Sequence, residues 1–132
     1  AGREAGLRTF CRLDNAVQLG LNGGSYEGVC PAQIDGEFRR RYQFGYNVYA
    51  SHGEVIRLEN RMQSLEQRLF RLDRDEDKRL RDANKEDDRR RIRRDFDDER
   101  HHVRDELRDL DRALYRAREA ARYAEWMLGT LR

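Results

Sequence analysis

Pro31 is the only proline of the chain, and between it and Leu128 no second one obliges a helix to stop. Along that stretch apolar residues fall at alternating spacings of three and four. Val55, Leu58, Met62, Leu65, Leu69 and Leu72 form one series. Phe96, Val103, Leu107, Leu110, Leu114, Ala117, Ala121, Ala124 and Leu128 form a second, with Glu99 taking the slot between its first two members. An apolar seam that recurs about every 3.5 residues drives knobs-into-holes packing of one helix on another. The fold class that follows is all-α, with long helices paired as a coiled coil.

Composition agrees with this reading once periodicity is known. Charged residues make up 41% of the chain and hydrophobic residues 37%, too polar for an ordinary compact domain. Such a balance also suits disorder, and the two seams decide for helix. Acids and bases nearly cancel to a net charge of +2 and are interleaved, the pattern of a solvated helix surface laced with ion pairs. A dedicated nucleic-acid binder carries an excess of basic charge. No run of about 18 apolar residues is present to cross a membrane.

Between the seams, residues 73–100 are almost wholly charged. Two topologies satisfy the pattern: one very long helix that dimerises, or an antiparallel hairpin. In a hairpin, facing residues have numbers that add to a constant. Leu72 with Phe96, Leu65 with Val103, Leu58 with Leu110 and Val55 with Leu114 all give about 168. The turn therefore centres on Asn84, a residue type that tolerates the left-handed conformation. The arms run over about 31–83 and 86–130, and residues 31–132 form the hairpin, packing as one domain with a cap formed by residues 1–30.

The cap is glycine-rich and reads as a short helix, Arg3 to Leu13, followed by a turn-rich loop, Leu19 to Tyr26, around Asn22-Gly23-Gly24-Ser25. That loop lacks the glycine patterns that cradle phosphates. Pro31 suits the first turn of the long helix. Phe38, Tyr42, Gly45, Tyr46 and Tyr49 recur at helical spacing, giving an aromatic face expected to pack on the cap, with Gly45 allowing close approach. The two cysteines, Cys11 and Cys30, read either as a disulfide formed in an oxidising compartment or as two buried thiols of a cytosolic protein.

No constellation for catalysis emerges. Ser25, Ser51 and Ser64 stand outside any nucleophile-elbow sequence. Carboxylates abound on polar helices, without the partly dry pocket that general acid–base work needs. His101 and His102 point about 100° apart on a helix and do not chelate one metal from one face. The chain is expected to be no enzyme and to hold no metal or cofactor. Arg89, Arg90, Arg91, Arg93 and Arg94 form its one basic cluster, a candidate anion contact. Acids flank the cluster on both sides and weaken it as a nucleic-acid site.

The N-terminal half carries Gly2-Arg3, Gly6-Leu7, Cys11, Gly20, Tyr26-Glu27-Gly28-Val29-Cys30-Pro31, Phe38, Tyr42, Gly45 and Tyr49. In these residues, over about residues 2–65, it resembles a bacterial envelope family of unknown function, family 2799 among such domains. Members look like extracytoplasmic lipoproteins, and the resemblance implies a periplasmic or cell-envelope location but no activity. Membrane association is expected only through a lipid anchor, itself expected to be absent from this chain. Starting at Ala1-Gly2-Arg3 without Met, it reads as a mature or trimmed product.

The expectation is a non-enzymatic, envelope-associated interaction or spacer module that presents a charged hairpin to a protein partner, with a homo-dimer as a further option. The competing reading is a cytosolic dimeric coiled-coil scaffold associated with nucleic acid through Arg89–Arg94.

Overall fold

A computed structural model describes residues 2–131, with side chains from residue 6 onward. Among the described residues there are four α-helices and no strand: α1 (Gly2–Phe10), α2 (Leu13–Leu21), α3 (Ala32–Asp82) and α4 (Glu86–Gly129). The two long helices pack together, and a disulfide joins Cys11 to Cys30 at the N-terminal end of the chain. None of the helices is long and apolar enough to cross a membrane.

The chain forms two compact units, Ala1–Val55 with Arg116–Arg132, and Ile56–Tyr115. In the first, α2 lies largely between the helix and the loop expected from sequence, and its last three residues, 19–21, read from sequence as the start of that loop. The helix stops where that expectation places its turn. Gly23 adopts φ +75°, Gly24 N–H donates to the Leu19 carbonyl and Gly23 N–H to that of Gly20, the Schellman arrangement that closes a helix on a left-handed glycine. The short first helix ends at Phe10, whose carbonyl accepts from the Asn15 side chain at 2.7 Å. The core comprises Cys11, Ala16, Cys30 and Phe38, ringed by Phe10, Leu13, Leu19, Tyr26, Ile34 and Tyr42. Further along α3, Val48 is buried, as are Ala121 and Ala124 on α4. Phe44, Asn47 and Ser51 line a shallow groove with Ala120, Tyr123 and Met127.

The second unit is an antiparallel hairpin of the latter part of α3 and the first part of α4. Leu58, Leu65, Val103 and Leu114 are buried; Met62, Leu69, Leu72, Phe96, Leu107 and Leu110 are half-buried. The reversal takes Ala83, Asn84 and Lys85. Asn84 sits at the turn without adopting the left-handed conformation expected of it: no non-glycine residue among those described has positive φ. Charge marks the break instead. Arg79 and Arg81 lie in the last turn of α3, while Glu86, Asp87 and Asp88 open α4. Each set opposes the partial charge of its helix end.

Candidate functional site

In the first unit the chemistry gathers where the cap meets α3. Position 20 carries no side chain, and a Cβ there would lie 2.5 Å from the Tyr46 backbone nitrogen and run into the Tyr42 carbonyl. Gly20 and Gly45 thus let the backbones of α2 and α3 touch. This contact sets the distance at which the aromatic face works. Ring centroids step along it from Phe10 to Phe38 (5.6 Å), Phe38 to Tyr26 (4.6 Å), Tyr26 to Tyr42 (6.3 Å), Tyr42 to Tyr46 (5.8 Å) and Tyr46 to Tyr49 (5.9 Å). Spacings of this order suit offset and edge-on packing of rings. Tyr42 donates to the Gly24 carbonyl at 2.8 Å, and the Tyr49 ring covers Gly23. All five residues of the sequence-derived aromatic face therefore stand against or beside the cap.

A polar network unforeseen from sequence lies at the edge of this row. The Tyr26 hydroxyl donates to Asp35 Oδ1 at 2.6 Å and accepts from the Cys30 N–H at 3.2 Å. Arg39 donates to the other Asp35 oxygen at 2.9 Å, and its guanidinium lies 4.9 Å from the centre of the Tyr26 ring. The hydrogen bond from Tyr26, then that from Arg39, holds the Asp35 carboxyl below its usual range. Partial burial, with the bond to Asp35, pushes the Tyr26 hydroxyl above its own. The spacing Asp35–Arg39 is visible in sequence as an i, i+4 pair; the long-range partner Tyr26 is not. The network fixes the segment between Tyr26 and Cys30, and with it the half of the disulfide that α3 approaches. Cys11 and Cys30 are both buried, and their Cα atoms are 5.7 Å apart.

Beside the disulfide, Leu7, Arg8, Cys11, Pro31 and Ile34 line an open hollow of about 380 Å³. Elsewhere in this unit His52 Nε2 lies 2.5 Å from Glu125 Oε1, linking α3 to α4, and Tyr123 and Trp126 stand largely exposed with rings 6.1 Å apart.

In the second unit the seam contains a charged position that sequence reasoning placed one residue too early. The slot between Phe96 and Val103 is filled by Arg100, whose side chain is only 11% exposed, while Glu99 lies on the flank and pairs with Arg68 at 2.8 Å. Arg100 reaches across to Glu76 at 2.6 Å and Asp73 at 2.8 Å on α3, and along its own helix to Asp97 at 2.8 Å. Glu76 is itself 16% exposed and continues the seam one step beyond Leu72. The hydrogen bond to Glu76, followed by that to Asp73, raises the guanidinium's proton affinity above its usual level. A signal for this existed: continuing each seam by four residues lands on opposite charges, Glu76 and Arg100.

The basic cluster is dispersed by its surroundings. Arg89 turns back and donates to the Leu80 and Ala83 carbonyls, capping the end of α3. Arg90 pairs with Asp87 at 2.5 Å, Arg91 with Asp88 at 3.7 Å and Arg93 with Glu86 at 3.7 Å. Arg94 has no acid within ion-pair distance among the described residues. His101 faces Asp105 at 3.4 Å rather than Asp97, whose carboxylate goes to Arg100.

The family described as a protein of unknown function, DUF2799, matches residues 1–47. The match covers the cap, the disulfide and the start of α3 through Gly45 and Tyr46, and ends well short of residue 65, to which the resemblance read from sequence extends. No curated protein and no solved structure matches the chain.

Proposed function

We propose that the chain is a non-enzymatic interaction module of the cell envelope, presenting a charged antiparallel helix pair to a protein partner. The observation that carries this reading is the buried Cys11–Cys30 disulfide. Disulfides persist in oxidising compartments and are rare in reducing ones. This one ties down the segment that matches the family of unknown function, and it sits in a core too small for an independent domain without a staple. The long helices add a surface of alternating charge, of the kind that fixes partner choice and register more than raw affinity.

The cytosolic nucleic-acid scaffold would require Arg89 to Arg94 to face a polyanion together. Four of those five arginines are engaged with carbonyls or carboxylates of their own unit, and we do not carry that reading further.

The test is the state of the thiols in the native host. Cells are quenched in acid, free thiols are alkylated, and the protein is followed through fractionation. The proposal expects the chain in the envelope fraction with both cysteines protected until a reductant is added. A cytosolic chain with two alkylated thiols would overturn it.

A further inference from the structure

We infer that Arg100 and Glu76 set the pairing register of the helix hairpin and bar parallel self-association of its arms: together they act as a selectivity device rather than as a source of stability. A seam of leucines alone specifies its register weakly, since a shift by one heptad places apolar residue against apolar residue again. A polar residue at one seam position breaks that degeneracy. Arg100 meets Glu76 and Asp73 across the interface only in the observed register. Sliding α4 by seven residues one way would bring Arg100 opposite Leu69, and the other way would bring Arg100 opposite Ala83 and Glu76 opposite Leu107. Each slip strands a partly desolvated charge without its partner.

The same pair acts against the parallel coiled coil that the long seams would otherwise permit. In an in-register parallel dimer each seam position faces its own copy. Glu76 would meet Glu76 and Arg100 would meet Arg100, like charges at an interface where each is now at least four-fifths covered. The antiparallel arrangement is the one that turns both positions into complementary partners. Around Arg100 the titratable groups on both helices are Asp73, Glu76, Asp97 and Glu99; the first three accept from it, and Glu99 is taken by Arg68.

The test uses the whole chain with spin labels on introduced cysteines at Ser64 and His102, two exposed positions across the seam, the native cysteines remaining in their disulfide. The unsubstituted seam is expected to give one narrow distance distribution and a monomer in analytical ultracentrifugation. The apolar variant Glu76→Leu with Arg100→Leu is expected to keep its helical circular dichroism and melt no earlier, because a buried ion pair is often replaced by apolar contacts without loss. Its distance distribution is expected to split or broaden by about one heptad, roughly 10 Å, or its mass to double. If that variant instead keeps the single narrow distance and the monomeric mass, Arg100 has no role in selecting the register and the inference falls. The single variant Arg100→Leu, which leaves Glu76 unpaired, guards against a general failure to fold: it should melt earlier than the double variant. Equal or higher stability of the single variant would show that the two residues are not coupled, and would also overturn the inference.

Discussion

Breaking the disulfide is the perturbation whose size can be worked most directly. Cys11 and Cys30 are 19 residues apart. Closing a loop of that length removes unfolded-chain entropy equivalent to about 3 kcal/mol at 25 °C in the chain-entropy account. The loop contains all of α2 and its closing glycine turn, and it docks on α3 through Phe38, which is fully buried, and through the Gly20–Gly45 contact. The loss should therefore appear first as opening of the cap. At 1.4 kcal/mol per tenfold change in an equilibrium constant, amides of α2 protected by that docking should exchange on the order of a hundredfold faster in reduced protein. The assay is hydrogen exchange read by mass spectrometry on oxidised protein, reduced protein and a Cys11→Ser, Cys30→Ser double variant. Peptides covering Leu13–Leu21 should accelerate alike in the last two, while peptides covering Leu58–Leu72 change little. Unchanged exchange across α2 after reduction, with complete alkylation of both thiols, would refute the reasoning: the cap would then be held by its packing alone.

Leu65 is buried in the thin seam of the second unit, so Leu65→Ala should cost about 2–5 kcal/mol, seen as a lower urea midpoint. Two glycines of similar appearance in the sequence should respond in opposite directions to alanine. Gly53 lies inside α3 with nothing within 4 Å of the added methyl, and Gly53→Ala should stabilise by about 0.5–1 kcal/mol; Gly20→Ala drives its methyl into the α3 backbone and should cost about 1–3 kcal/mol or undock the cap, with thermal melts separating the two. Asp35 is held below its usual carboxyl range by Tyr26 and Arg39, so its contribution is present above the ordinary carboxylate pKa and is lost as pH falls through the depressed native value. In a pH titration of stability, Asp35→Asn should therefore flatten the acid limb, leaving the part that Glu37 contributes in the same direction through Arg41.

What could be read in the sequence divides by range of interaction. The two seams are local patterns, and the antiparallel pairing can be read from them because the large apolar side chains of the two arms face one another when their numbers add to about 168, although a shift of one heptad would pair most of them again. The aromatic face of α3 is local too, since Phe38, Tyr42, Gly45 and Tyr49 declare themselves by spacing. α2 escaped because Leu13 to Leu21 carries little of the usual start signal: its cap residue, Arg12, makes no side-chain hydrogen bond to the helix, and Ala16 and Gly20 look too small to define a face. Their smallness is the packing surface, which becomes evident only once α3 is laid against them. Asn84 tolerates a left-handed backbone, yet the turn needs no such residue, because Arg89 from α4 satisfies carbonyls at the end of α3. That is a long-range cap, and no motif within the turn encodes it.

The division of labour within the hairpin follows from its thin core. Two helices bury only a stripe of each other, and only four side chains of this unit are buried: Leu58, Leu65, Val103 and Leu114. Its exposed cross-helix pairs, Arg61 with Glu106 and Arg68 with Glu99, contribute at most about 1 kcal/mol each and are screened by salt. Stability must then come from the leucines, and leucines spaced by heptads are indifferent to a shift of seven. Uniqueness has to be supplied by groups that are costly to misplace, and the sequence provides one opposite-charge pair in the seam to do so. A module that presents a fixed pattern of surface charge depends on this, since a slip of one heptad would redraw every cross-helix charge pair that a partner could meet.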